Sequence, residues 1–179
     1  MKLTIIIPVY NEINSIDILL NKVLSSKVEK QIIVIDDFSI DGSREVITNK
    51  YTNKIDKIIL HDRNLGKGAA IISAKKYIEG DYVIIQDADL EYDPRDYNKL
   101  IKPIEEGLAD VVFGSRFLGL GDRRVLYFWH TIGNKFLTLF SNMLSNLNLT
   151  DMEVCYKAFK SECLKSIKLE ENRFGFEPE

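Results

Sequence analysis

Cysteine, histidine and proline are scarce in this chain, and no stretch of it is both long and apolar. Its 179 residues hold two cysteines, Cys155 and Cys163, two histidines and four prolines. The cysteines lack metal-ligand spacing, so free thiols in a reducing compartment are the plain inference. No apolar run approaches the roughly 18–20 residues that cross a bilayer. The first strand is reached by Leu3, so no signal peptide is expected. Positive charge is not in excess: the net charge is −3, which removes any electrostatic case for a nucleic-acid partner. No glycine-rich loop with a basic residue follows the first strand, which disfavours a nucleotidyltransferase. There is no internal repeat, linker or low-complexity segment. What remains is 45% hydrophobic and 28% charged, an ordinary globular composition for one domain spanning 1–179. The chain stops at Glu179 just after an aromatic and acidic cluster, so a fragment of a longer protein is expected.

The order of elements predicts an α/β fold. Leu3 to Pro8 is apolar on both faces, as in a central parallel strand covered by helices, and Pro8 is expected to stop it. Asn11 then caps a helix whose apolar face is Ile13, Ile16, Leu19, Leu20, Val23 and Leu24, with Glu12 in its positive first turn. Gln31 to Ile35 is a second buried strand ending on Asp36-Asp37, and Asp41 starts a short helix to about Lys50. Lys57 to Leu60 is a third strand. The segment 64–68 (NLGKG) opens a helix to about Ile78, closed by Gly80 as a C′ glycine. After a fourth strand, Asp93-Pro94 starts a helix with buried Tyr97, Leu100, Ile101 and Ile104, Pro103 in its last turn and Gly107 at its end. Asp110 to Gly114 is a fifth strand, and Val154 to Lys160 a further one. Crossovers of a dozen or more residues give a mainly parallel sheet with helices on both faces. Val125 to Leu149, rich in aromatics, is one or two helices. It either packs under the sheet edge or forms a lip that rests on a membrane or receives a lipid chain.

The stretch that points to chemistry is residues 81–91, DYVIIQDADLE. Tyr82 to Ile85 read as a buried strand, followed by Asp87-Ala88-Asp89. Residues i and i+2 leave a strand on one face, so two carboxylates point together with Glu91 close behind. Such a pair repels itself unless a cation intervenes. Mg²⁺ or Mn²⁺, held by one or two carboxylates and substrate phosphates, answers that need. A strand-to-turn junction in which the aspartates cap backbone N–H groups is the structural alternative. Ligands of parallel sheets bind beyond the carboxyl ends of the strands. Pro8 to Glu12, Asp36-Asp37 and Asp87 to Asp89 all fall there. Lys67, in a glycine-flanked loop opening a helix, either meets phosphate or is a solvated turn residue.

In order along the chain stand IIIPVYNE (5–12), IVIDDFSIDGS (33–43), NLGKGAA (64–70), QDADLEYDP (86–94) and VFGSRF (112–117). Together they resemble glycosyltransferase family 2, and are most similar to the branch that makes dolichyl-phosphate mannose and bacterial polyprenyl-phosphate sugars. Two later segments, 151–160 and 173–179, are also similar to that branch. The resemblance implies a GT-A fold, an α/β architecture with a mainly parallel central sheet. It implies that Pro8, Tyr10 and Glu12 border the base and ribose, and that Asp37 hydrogen-bonds the base of a UDP- or GDP-linked sugar. Asp87 and Ala88 would line the sugar-nucleotide site, with Asp89 holding the metal. Glu91, where the branch often has glutamine, could share that ion. Arg116, with Arg123 or Arg124, would face an acceptor phosphate.

The implied reaction is inverting transfer of a sugar to a polyprenyl phosphate, at the cytoplasmic face of a membrane that the protein touches peripherally. A phosphate acceptor needs no general base. A hydroxyl acceptor in cell-wall or capsule synthesis would need one, for which Asp151 or Glu153 is the candidate. Asp151 also reads as a cap or salt-bridge partner. A truncated, non-catalytic nucleotide-binding domain is the third reading. His61 and His130 receive no role.

Overall fold

Residues 2–115, 128–152, 154 and 156–173 are described by the structure, a computed structural model. The strands are β1 (Leu3–Val9), β2 (Lys30–Asp36), β3 (Lys57–Leu60), β4 (Tyr82–Ile85), β5 (Val111–Phe113) and β6 (Lys157–Lys160). The helices are α1 (Ile16–Ser25), α2 (Ser43–Tyr51), α3 (Lys67–Lys75), α4 (Tyr97–Glu105), α5 (Phe128–Ser145) and α6 (Ser161–Ser166). They build one sheet in the order β3-β2-β1-β4-β6-β5. β1 pairs in parallel with β2 and β4, and β2 with β3. β6 runs antiparallel to β4 on one side and β5 on the other. The expected mainly parallel α/β sheet is therefore present, with one reversed strand inserted.

Alternation along β1 and β2 divides the core between two helical layers. Leu3, Ile5, Ile7 and Val9 join Ile32 and Val34 against Ile16, Leu19, Leu20 and Val23 of α1, Ile47 and Tyr51 of α2, and the buried face of α4. Ile6, Ile33 and Ile35 face the other way, against Ala70, Ile71 and Ala74 of α3 and Leu164 of α6. Each fully buried Leu or Ile contributes about 1.5–3 kcal/mol. The predicted face of α4, Tyr97, Leu100, Ile101 and Ile104, is buried as read, and Asp93 accepts a hydrogen bond from the Arg95 N–H before Pro94.

Several local expectations fail for identifiable reasons. β1 does not stop at Pro8 but runs on to Val9. Even-numbered β1 residues turn their backbone groups toward β4, as the bond from Gln86 N–H to the Ile6 carbonyl shows. Pairing with β4 ends at Ile6, so the N–H missing from Pro8 has no ladder to leave broken. Asn11 does not cap α1. It sits at φ 55° and α1 begins five residues later, after Ser15. Its side chain accepts instead from Ile40 N–H at 2.9 Å. α3 ends at Lys75, and Gly80 is not its C′ residue. Gly80 lies against the start of β1, where a Cβ would come 2.6 Å from the Lys2 carbonyl oxygen and 2.8 Å from Thr4. Its N–H donates to the Thr4 hydroxyl at 2.9 Å. Packing across the sheet, rather than helix termination, requires the glycine there. Gly68 answers a second close approach. A Cβ on it would run into the Glu171 carbonyl, because residues 171–173 lie across the start of α3, where Asn172 accepts from Ala69 N–H at 3.0 Å.

α5, residues 128–145, does not bear out the expectation that this segment packs under the sheet edge. Phe128, Trp129, Phe136, Leu139, Phe140, Met143 and Leu144 are all more than half exposed. Its buried residues are polar, Asn134 and Thr138. The helix does not pack its apolar side under the sheet. No helix among the described residues is long and apolar enough to cross a membrane.

Candidate functional site

The chain adds β2 and β3 on one side of β1, then returns to place β4 on the other. That reversal opens a crevice beyond the carboxyl ends of β1 and β4, the place where such sheets take ligands. Three loops meet near it: 10–15 after β1, 37–42 after β2, and 86–93 after β4.

The loops after β1 and β2 are stitched together. Asn11 N–H donates to the Ser39 hydroxyl at 3.0 Å, Glu12 N–H to the Ser43 hydroxyl at 2.8 Å, and Ile13 N–H to Asp41 at 2.9 Å. The Glu12 carboxylate accepts from the Ser15 hydroxyl, so it braces the entry to α1. Tyr10 projects half-exposed from the end of β1, and Pro8 is half-buried beside it.

Asp37 is 3% exposed. One carboxylate oxygen accepts from Leu65 N–H at 2.9 Å and lies 2.7 Å from His61 Nδ1, and the other accepts from Gly66 N–H at 2.7 Å. His61 Nε2 reaches the Ser73 hydroxyl on α3 at 3.0 Å. Asp36, fully buried, accepts from Arg44 Nε at 2.6 Å, while Arg44 also donates to the His61 carbonyl at 2.6 Å. This pair of aspartates therefore holds the β3–α3 loop against β2, and any ligand contact by Asp37 is made from a carboxylate already tied to three donors. His61 and Arg44 are the parts of this network that sequence reading missed. A lone histidine and a helix arginine carry no periodic or motif signal.

Lys67 begins α3, and its ammonium meets Asp87 at 2.7 Å. β4 ends at Ile85, so Asp87 to Asp89 lie in a bend rather than on a strand, and the two-residue face argument does not apply to them. They nevertheless interact. Burial first, and then the charge of Asp87, push the Asp89 carboxyl above its usual range, while Lys67 pulls it down. Asp89 is open to solvent on one side yet crowded by protein on the other. Its carboxylate accepts from Glu91 N–H at 3.0 Å, as in the capping alternative. Leu90 between them sits at φ 65°. Ala88 is buried in the core. No group of three or more His, Cys, Asp or Glu is gathered for a metal among the described residues. A closed protein cage is thus absent there. A site of one or two carboxylates completed by phosphate oxygens fits the residues present, because one acid of the pair lacks a full counter-charge.

Asp151 is 1% exposed and accepts from Asn134 Nδ2 at 2.9 Å. Asn134 in turn accepts from the Thr138 hydroxyl at 3.1 Å. These contacts attach α5 to the segment ahead of β6. That segment enters the sheet beside the carboxyl end of β4, with Lys157 opposite Ile85. Arg116, Arg123, Arg124 and Glu153 lie outside the described residues.

Residues 4–168 match the profile of glycosyl transferase family 2. The chain belongs to that family. The undecaprenyl-phosphate mannosyltransferase of Micrococcus luteus is 29% identical over 188 residues, covering 99% of this chain and 75% of that protein. The undecaprenyl-phosphate 4-deoxy-4-formamido-L-arabinose transferase of Photorhabdus laumondii is 35% identical over 117 residues, covering 62% of this chain and 36% of the relative. Among solved structures, S. aureus TarS 1-349 in complex with UDP superposes with a TM-score of 0.65 at 26% identity, covering 92% of this chain and 48% of that one. The Mycobacterium tuberculosis glucosyl-3-phosphoglycerate synthase, in complex with Mn²⁺ and UDP-glucose, shares the fold, with a TM-score of 0.75 at 17% identity over 99% of this chain and 62% of that one. The chain thus spans three quarters of the mannosyltransferase, but only about a third of the arabinose transferase and half of TarS 1-349.

Proposed function

We propose that this family 2 protein transfers a sugar, with inversion, from a nucleoside diphosphate to a polyprenyl phosphate at the cytoplasmic face of a membrane. The observation that carries the reading is the meeting of Lys67, Asp87 and Asp89 beyond the carboxyl ends of β1 and β4. A cation beside two acids, one of them imperfectly neutralised, is an environment for a diphosphate and a divalent ion.

In this reading Pro8, Tyr10, Glu12 and Asp37 border the nucleoside, UDP or GDP. Lys67, at the positive start of α3, neutralises charge gathering on the departing diphosphate. Ala88 contributes backbone where the sugar lies. Asp89, with Asp87 and Glu91 at hand, holds Mg²⁺ or Mn²⁺, which when bound supplies Lewis-acid stabilisation of the leaving group. The acceptor phosphate is already anionic, so no side chain has to remove a proton. That agrees with Asp151 being buried and bonded to Asn134 rather than free to act as a base. Arg116 supplies a guanidinium for the acceptor headgroup. The exposed apolar side of α5 gives the lipid chain, or the bilayer holding it, a surface to rest on. The names of the two undecaprenyl-phosphate transferases support that acceptor class.

The test is a product screen with UDP- and GDP-sugars, Mg²⁺ or Mn²⁺ and a short polyprenyl phosphate. Asp89→Asn is expected to abolish transfer while the protein still folds. Full turnover in excess chelator would remove the metal from the reading. Preference for a free sugar hydroxyl over the lipid phosphate would replace the acceptor.

A further inference from the structure

Four non-glycine residues among those described hold a positive φ: Asn11, Phe38, Leu90 and Asn146. Asparagine tolerates the left-handed region because its short side chain bonds locally, and Leu90 packs against the core. Phe38, at φ 67°, has neither compensation. Its ring is 41% exposed, so a bulky side chain is kept in a disfavoured backbone conformation without being buried. The backbone around it is fastened on both sides. Asp37 N–H donates to the Val9 carbonyl at 2.8 Å, and Ser39 N–H to Asp36 at 3.2 Å. The ring is backed by Arg44, whose guanidinium carbon lies 5.6 Å from its centroid. Arg44 is itself immobilised on Asp36 and on the His61 carbonyl. Tyr10, 48% exposed, projects from the neighbouring strand end, and the two loops are joined through Asn11 N–H and the Ser39 hydroxyl. Strain kept in an exposed ring that, among the described residues, only Arg44 backs, and that no core residue covers, points to a functional position.

We propose that Phe38 is a donor-binding residue: its ring, set on Arg44 in a strained turn, is a stacking platform for the nucleobase of the donor. This rests on the reading of the crevice as a nucleotide site. An aromatic face accepts a flat base without a hydrogen-bond code. The ring therefore adds affinity for the base and none for the diphosphate.

Calorimetric titration with UDP, GDP and inorganic pyrophosphate in Mg²⁺ tests this on the wild-type protein and on Phe38→Gly, Phe38→Asn and Phe38→Tyr. Glycine and asparagine suit the left-handed turn, so both variants are expected to melt at or above the wild-type temperature. Both should lose about tenfold in affinity for the preferred nucleoside diphosphate, the scale of one base–aromatic stack. Pyrophosphate affinity should stay unchanged, and Phe38→Tyr should bind as wild type. Unchanged nucleotide affinity in Phe38→Gly and Phe38→Asn overturns the stacking role and leaves the nucleotide site intact. Equal losses for nucleotide and pyrophosphate, with lower melting temperatures, also overturn it and make the ring a support for the fold. A wild-type protein that binds neither UDP nor GDP overturns the nucleotide site and this inference with it.

Discussion

The ammonium of Lys67 lies 2.7 Å from a carboxylate oxygen of Asp87, with the two side chains only 13% and 17% exposed. The pair joins the first residue of α3 to the bend after β4 across the crevice. Low exposure strengthens the attraction beyond that of a surface pair and makes it costly to break from one side. Lys67→Met is expected to leave Asp87 and Asp89 facing each other with less positive charge. It should weaken nucleoside diphosphate binding about tenfold or more, because a charge-assisted contact is lost and two acids repel the phosphates. Titration with UDP and GDP checks this, and unchanged affinity for both would take Lys67 out of the proposed diphosphate site.

Asp37 gives a different signature. Its replacement by alanine strands Leu65 N–H, Gly66 N–H and the His61 ring. At about 1 kcal/mol or more for each lost bond, Asp37→Ala should lower stability by about 3 kcal/mol and the melting temperature by about 6–12 °C. A residue that only touched the base would lower nucleotide affinity with no change in melting. Thermal unfolding without ligand separates the two cases.

Trp129 is the one tryptophan in the sequence and is 77% exposed on α5. If α5 rests on a bilayer, its emission should shift to the blue when vesicles containing anionic phospholipid are added, and the shift should reverse on dilution, as expected of a peripheral contact. Emission that stays unchanged at saturating lipid would refute the membrane lip.

Alkaline pH should unfold the protein through its tyrosines. Burial, together with Asp17 at Tyr51 and Asp93 at Tyr97, pushes the phenols of Tyr51, Tyr97 and Tyr156 well above the ordinary value. A folded-state pKa raised above the unfolded one stabilises the fold fully below the unfolded pKa, near 10, and less as pH rises beyond it. Absorbance at 295 nm and far-UV circular dichroism, followed from pH 8 upward, should show the last three phenolates appearing only with loss of structure. Ionisation of all eight tyrosines in a native spectrum would contradict their burial.

Much of the fold was legible because it rests on local periodicity. Runs such as Leu3 to Ile7 and Tyr82 to Ile85 are apolar on both faces, and only a sheet covered by two helical layers can bury them. The 3.6-residue spacing of Tyr97, Leu100, Ile101 and Ile104 likewise admits one buried face. That the acids at 36–37 and 87–89 lie at one edge of the sheet was legible because parallel strands place all their carboxyl ends there. Other features depend on partners distant in sequence, and no local pattern encodes them. Gly80 is set by the start of β1, not by the helix before it. β6 reverses the sheet because its partners are β4, more than 70 residues earlier, and β5. Asp37 is drawn inward by backbone donors at 65 and 66 and by His61, contacts that exist only once β3 lies beside β2. α5 has the composition of a core helix, yet its polar residues Asn134 and Thr138 are the ones that find buried partners. Helical periodicity says which residues share a face; only the surrounding chain decides which face is covered.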